Sequence, residues 1–136
     1  MERTFIMIKP DAVRRKLIGE IVSRIEKRNF NVVAIKMLTP PKELAEAHYA
    51  VHKGKDFFDG VVQFVASGLV VAMVVEGENV IKLMRNTMGA TSPEQAAPGT
   101  IRGDLTISMR ENLIHGSDSL DTANMEIGLW FPELKG

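Results

Sequence analysis

The stretch LVVAMVV at residues 69–75 constrains this chain more than any other. It is apolar without interruption, rich in β-branched residues, and far too short to span a bilayer, which needs about 20 apolar residues. Because it shows no alternation of apolar and polar positions, it predicts a strand buried on both faces, at the centre of a sheet. Gly77 ends it. A central strand needs a neighbour on each side and cover for its faces, and the remainder of the chain must supply both.

Residues 4–8, TFIMI, predict a second strand that stops at Pro10, because proline cannot donate into a sheet ladder. That abrupt stop leaves Lys9 at the tip of a core strand. Ile18, Ile21, Val22 and Ile25 recur at three- and four-residue spacing with Glu20, Arg24, Lys27 and Arg28 off that face, which predicts an amphipathic helix. Residues 32–38 predict another strand. Pro40 and Pro41 force a turn and start a helix that runs from Glu43 to His52 and carries Tyr49. Phe57 and Phe58 open a further helix ending near Ser67 and Gly68, and an exposed ring at a helix start can stack on a flat ligand. In residues 78–86, Val80, Ile81 and Met84 mark one more helix, with Arg85 near its end.

From residue 88 to residue 110 no period survives the glycines and prolines, which predicts a long functional loop. Residues 118–126 predict a helix capped by Ser119 or Asp121, and residues 127–131 a last short strand. The order β-α-β-α-α-β-α-loop-α-β points to an α+β fold: a ferredoxin-like split β-α-β sandwich, with a four-stranded antiparallel sheet and helices covering one face. At 136 residues the chain is expected to form a single domain over residues 1–136.

Composition narrows the function. Seventeen basic residues balance seventeen acidic ones, which argues against a dedicated nucleic-acid surface while leaving room for a local anion site. Without cysteine, disulfides, thiolate catalysis and thiolate metal sites are excluded. Met1 leads straight into a strand, with no signal peptide and no membrane span, so a cytoplasmic protein is expected. His48 and His52 lie four apart like a metal pair, but no third ligand stands near them in sequence.

The chemistry centres on His115, which stands among small and hydrogen-bonding residues. Histidine titrates near neutral pH and is nucleophilic without prior activation. Lys9, Arg85 and Arg102 each fall at an element end or in a loop, as do Thr91, Asn112 and Tyr49. Cations around a histidine nucleophile suit a phosphorylated substrate, because phosphoryl transfer asks for little else from the protein. Neither GxxxxGKS/T nor a GxGxxG after a strand is present, so a nucleotide would not be bound by those loops.

Three stretches carry a resemblance: TFIMIKPD at residues 4–11, GTIRGD at 99–104 and HGSDS at 115–119. In order and spacing they resemble the signatures of nucleoside diphosphate kinases. The resemblance implies ping-pong transfer of a γ-phosphate from a nucleoside triphosphate, typically ATP, through a phosphohistidine on His115 to a nucleoside diphosphate, with broad base tolerance. On the matching positions it implies that Glu126 holds the ring of His115 with Ser117 linked to it. It assigns Lys9, Tyr49, Arg85, Thr91, Arg102 and Asn112 to phosphates and ribose, and Phe57 and Met109 to the two faces of the base. It further implies Mg2+ carried on the phosphates, with no direct protein ligand and Asp118 reaching it through water. A homo-oligomer follows, hexamer favoured over tetramer from Gly103 and the tail at residues 131–136. Met109 (for a smaller branched residue), Val61 (for leucine) and Asp56 (for proline) depart from the usual pattern without touching the phosphate chemistry. The competing readings are a non-catalytic module of the same fold, which would need a damaged site, and a nucleic-acid-binding protein, which the neutral charge disfavours.

Overall fold

The computed structural model describes residues 1–134, in which four strands form one antiparallel sheet ordered β2-β3-β1-β4. The strands are β1, Glu2–Ile8; β2, Asn31–Leu38; β3, Val70–Gly77; and β4, Ile114–Gly116. As the apolar run demands, β3 is internal and Val70 through Val75 are buried. β1 pairs with β3 along its length, from Glu2 opposite Gly77 to Ile8 opposite Val71. On its other side it takes β4, with Ile6, Met7 and Ile8 opposite Gly116, His115 and Ile114.

Seven helices lie on this sheet among the described residues: α1, Pro10–Arg14; α2, Ile18–Lys27; α3, Lys42–His48; α4, Phe58–Val65; α5, Val80–Met88; α6, Ile101–Leu105; and α7, Leu120–Trp130. Side chains alternate across a strand, so the unbroken apolar runs Phe5–Ile8 of β1 and Val70–Val75 of β3 require cover on both faces. Ile6, Ile8, Val71, Met73 and Val75 pack against Ile21 and Ile25 of α2, Val80, Met84 and Met88 of α5, and Ile101 of α6. Phe5, Met7, Ala72 and Val74 face the opposite way, against Ala45 of α3, Val62 and Val65 of α4, and Trp130 of α7. The expectation of helices on one face is therefore corrected to helices on both. No helix among the described residues is long and apolar enough to cross a membrane.

Other local expectations are corrected too. The fourth strand is not residues 127–131, which close α7, but Ile114–Gly116, where the sequence had indicated a loop. Ala123, Glu126, Ile127 and Trp130 recur at helical spacing, and Ser119 caps the helix by accepting from the Thr122 N–H at 3.1 Å. Inside the expected loop, α6 forms without periodicity, held by Thr100 accepting from the Gly103 N–H at 2.9 Å and by the Arg24 to Asp104 ion pair at 2.7 Å. Gly103 is required there, because a Cβ would collide with the Ala97 carbonyl. The helix expected to reach His52 ends at His48, and Ala50–His52 is a single 3-10 turn. Pro10, expected only to stop a strand, also opens α1.

The reassignment of residues 127–131 is directly testable. Gly128 sits exposed in α7 and a Cβ there would meet nothing within 4 Å. Gly128→Ala should raise the unfolding free energy by about 0.5–1 kcal/mol, since alanine loses less backbone entropy in a helix. Urea unfolding of the two proteins measures it; a loss of stability would contradict the helical assignment.

Candidate active site

His115 is the middle residue of β4, directly opposite Met7 of β1. Cross-strand partners share a face, so the imidazole emerges on the side covered by α3, α4 and α7. Gly116 beside it admits no side chain without a clash, since a Cβ would lie 2.6 Å from Met88 Sδ. From α7, the buried carboxylate of Glu126 reaches the ring, with Oε1 2.9 Å from His115 Nε2. The same Oε1 accepts from the Ser117 hydroxyl at 2.7 Å, while Ser117 Oγ takes the Phe5 N–H at 3.3 Å. A carboxylate can only accept, so Nε2 carries the ring proton and the Nδ1 lone pair is left open.

The backbone leading into β4 is fixed from two directions. Leu113 adopts φ 77°, a left-handed conformation that is rare for a branched side chain. Its N–H donates to the buried Asp11 Oδ2 at 3.0 Å and its carbonyl accepts from the Lys9 N–H at 2.9 Å. Burial pushes the Asp11 carboxyl above the usual carboxylate range. From the other side, the Arg102 guanidinium donates to the carbonyls of Asn112 at 3.1 Å, Ile114 at 2.5 Å and Gly89 at 2.9 Å. Arg102 is thus buried and partly committed to the backbone, where the sequence had indicated a phosphate ligand alone; the rest of its five N–H groups remain for one.

Three cations converge here without a matching anion among the described ion pairs. Lys9 Nζ donates to Asn112 Oδ1 at 3.0 Å, and Asn112 Nδ2 donates to the Met109 carbonyl at 3.0 Å. Desolvation, then repulsion from Arg102, lowers the Lys9 ammonium to about 8. Desolvation, then repulsion from Arg85, lowers Arg102 to about 10. Arg85 itself donates to the Gly116 carbonyl at 3.0 Å. Tyr49, just past α3, has its phenol pushed up by burial and by the Glu126 charge, so it stays a neutral donor.

The expected residues are not all equally close. His115, Glu126, Ser117, Lys9, Asn112, Arg85 and Arg102 are linked by the contacts above. Phe57, 50% exposed, packs against His52 with ring centroids 5.1 Å apart, and Met109 is 57% exposed. Thr91 and Asp118 are exposed, and neither side chain bonds to another site residue among the described contacts. Asp118 and Arg85 line a shallow concavity of about 340 Å³ that does not include His115.

One buried residue beside the site falls outside the sequence motifs. His48 does not pair with His52 but lies edge-on to His115 with centroids 4.6 Å apart, while His52 packs on Phe57. The signal for it was its place three residues after Ala45 on the apolar stripe of α3.

Transferring a phosphoryl group requires a nucleophile in line and cations on the non-bridging oxygens, with little other covalent work. This fold, with an oriented imidazole beside clustered cations, is that of a phosphotransferase. The family profile described as nucleoside diphosphate kinase matches residues 2–135. Similar curated proteins include the nucleoside diphosphate kinases of Staphylococcus carnosus (strain TM300), 56% identical over 96% of this chain and 87% of that protein, and of Synechococcus sp. (strain WH7803), 60% identical over 96% and 86%. Solved structures superpose closely: apo nucleoside diphosphate kinase from Encephalitozoon cuniculi at TM-score 0.93, with 44% identity over 96% of this chain and 89% of that one. The halophilic enzyme from Halobacterium salinarum, in complex with CDP, gives TM-score 0.92 with 51% identity over 96% and 87%. The chain belongs to the nucleoside diphosphate kinase family and carries that family's phosphotransferase activity.

The crowding of cations has a measurable signature. Lys9 titrates near 8 in the folded protein and at 10.5 when unfolded, so below pH 8 it is charged in both states and its burial is a penalty. Between about pH 8 and 10.5 the folded state binds fewer protons, and stability attributable to Lys9 rises with pH. Subtracting the pH profile of Lys9→Met unfolding in urea from that of the wild type should reveal this rise. A flat difference would contradict the lowered titration of Lys9, which burial sets first and Arg102 second.

Proposed function

We propose that His115 is the residue that carries the phosphoryl group. In the first half-reaction Nδ1 attacks the γ-phosphorus of a nucleoside triphosphate, the bond to the β–γ bridging oxygen breaks, and the diphosphate leaves with that electron pair. In the second, the terminal oxygen of another nucleoside diphosphate attacks the phosphohistidine and frees Nδ1. The observation that carries this reading is the 2.9 Å contact of Nε2 with Glu126, which leaves Nδ1 as the open lone pair and places a negative charge behind a ring that becomes positive on attack. Ser117 positions that carboxylate.

On this reading Lys9, Arg85, Arg102 and Thr91 take phosphate oxygens, Lys9 and Asn112 the ribose hydroxyls, and Tyr49 supplies a neutral hydroxyl. Phe57 and Met109 lie on the two faces of the base. The solved relative bound to CDP supports a nucleotide as occupant. Reading a face rather than edges gives broad base tolerance, because every base stacks. Mg2+ suits the residues present as a passenger on the phosphates: the described cluster of potential metal ligands is His48, His115 and Glu126, not the oxygen set magnesium prefers. There it would neutralise phosphate charge, with exposed Asp118 holding it through water.

We read residues 1–136 as one kinase domain working in the cytoplasm, without dedicated nucleic-acid binding. A homo-oligomer, hexamer over tetramer, is favoured by Gly103 and the tail, although Lys135 and Gly136 lie outside the described residues. Exposed apolar side chains on the edge strand β2, Val33, Ile35 and Met37, support assembly. Light scattering on the eluted protein distinguishes the two states.

Incubation with labelled ATP should give an acid-labile, base-stable phosphoenzyme that His115→Ala does not form. Equal labelling of both proteins would remove His115 from the mechanism. Phe57→Ala should weaken nucleotide use by about 1–3 kcal/mol, seen in KM with little change in kcat. Steady-state kinetics with several diphosphates would expose any effect confined to one base, which the face-reading site does not allow.

A further inference from the structure

His48 is buried at the end of α3, and its ring is locked into one tautomer. The Trp130 indole Nε1–H donates to His48 Nδ1 at 3.0 Å, and an indole nitrogen can only donate. Nδ1 must therefore hold the lone pair and Nε2 the proton. That Nε2–H is buried without a hydrogen-bond partner among the described residues, a condition that costs about 1–3 kcal/mol. The acceptor it faces is Glu126 Oε2, 3.6 Å away.

The same tautomer bears on the other reading of this cluster. Ligand atoms of His48, His115 and Glu126 all come within 4.8 Å of one another, as a metal site would require. A metal needs a lone pair on Nε2, and Trp130 has fixed a proton there. The trio is an acceptor carboxylate between two N–H donors, and Ser117 supplies a third.

We propose that His48 is a positioning residue for phosphoryl transfer: its Nε2–H, fixed by Trp130, holds the second oxygen of Glu126 so that the first stays aligned behind His115. This rests on His115 being the nucleophile. At 3.6 Å the contact is one small side-chain adjustment short of a hydrogen bond, and catalytic hydrogen bonds in ligand-free structures are commonly long and tighten in the reacting complex. A proton on both nitrogens of His48 is strongly disfavoured, first by burial and then by its neighbours His115 and Lys9, which push its titration down to about 2. His48 is thus a fixed dipole across the working pH range. The groups facing it are His115 from β4, Lys9 from the tip of β1, Glu126 and Trp130 from α7, and Tyr49 beside it. No proton transfer is assigned to it.

The test pairs His48→Gln, which retains an N–H donor, with His48→Leu, which does not. Pre-steady-state phosphorylation by ATP is followed from pH 5.5 to 9, with thermal unfolding as the control for folding and nitrogen-15 spectra reporting the His115 tautomer. The leucine variant should phosphorylate more slowly by about tenfold to a hundredfold, the range that orienting partners of a functional imidazole command. Its nucleotide KM should stay near wild type, its pH profile should shift, and His115 should show a mixture of tautomers. The glutamine variant should recover most of the rate and the wild-type profile. A folded leucine variant with wild-type rate, profile and tautomer overturns the proposal, as does a folded glutamine variant no better than leucine. Should leucine not fold, Trp130→Phe takes its place: it frees the His48 tautomer, and an unchanged rate and His115 tautomer would equally overturn the proposal. Loss of labelling in His115→Ala is read separately, so failure of the nucleophile assignment is distinguishable from failure of this one.

Discussion

Three residue pairs between β1 and β4 set everything else in this molecule. Met7 opposite His115 fixes which face the imidazole points to, and Ile6 opposite Gly116 and Ile8 opposite Ile114 fix its height along the sheet. So short a strand has little intrinsic stability, and a one-residue slip would send the imidazole to the other face. The register is held from outside the strand instead. Leu113 enters β4 in a left-handed conformation of order 1–3 kcal/mol above a relaxed one. Asp11 grips its N–H, the Lys9 N–H grips its carbonyl, and Arg102 grips the carbonyls on either side of it. The strain persists because four hydrogen bonds over-determine the corner. Lys9 and Arg102, which over-determine it, are also members of the cation cluster, so anchoring the strand and gathering the cations are one structural act.

That economy has an electrostatic consequence. Lys9 and Arg102 are depressed from their ordinary values first by desolvation, and then Lys9 by Arg102 and Arg102 by Arg85. The site is held short of negative charge, and a phosphate chain relieves both the repulsion and the desolvation. Against this, the carboxylate behind His115 is over-supplied with donors: His115 Nε2 and Ser117 on one oxygen, and the His48 N–H facing the other. On the proposed reading, positive charge faces the substrate and the carboxylate backs the nucleophile, the polarity an attacking imidazole needs as its ring gains charge.

Legibility in the sequence followed the length and regularity of each signal. The 69–75 run, the β1 segment and the stripes of α2 and α5 were readable because apolar spacing repeats across them. β4 was not, since three residues carry no period, and its strand character comes wholly from pairing with β1. α6 was hidden for a similar reason: five residues held by Thr100, Asp104 and Arg24 show no stripe. Residues 127–131 misled because isoleucine, tryptophan and phenylalanine favour strands locally, while burial of Ala123, Glu126 and Trp130 on one side imposes a helix. Of the candidate residues, Lys9, Arg102, His115, Ser117 and Asp118 fall within the three short motifs and the others rest on positions between them, while two roles were illegible. Nothing in the spacing reveals that Arg102 spends much of its guanidinium on backbone carbonyls, or that α3 and α7 bring His48 and Trp130 together across 82 positions.

The two halves of the proposed site differ in rigidity for a physical reason. His115, Glu126 and Ser117 belong to a sheet and a helix with buried partners, where a misplacement of about 1 Å can cost a hundredfold in rate. Phe57 and Met109 are half exposed, at a helix start and in a loop, and their side chains are a ring and a thioether. A site built from hydrogen bonds to base edges would leave groups unpaired with the wrong base and reject it by several orders of magnitude. A site that offers only ring and thioether surface leaves nothing unpaired whichever base enters. On the proposed reading, broad tolerance is a property of where the polar groups were not placed, and precision in the transfer follows from where they were: in the sheet and α7, around one imidazole.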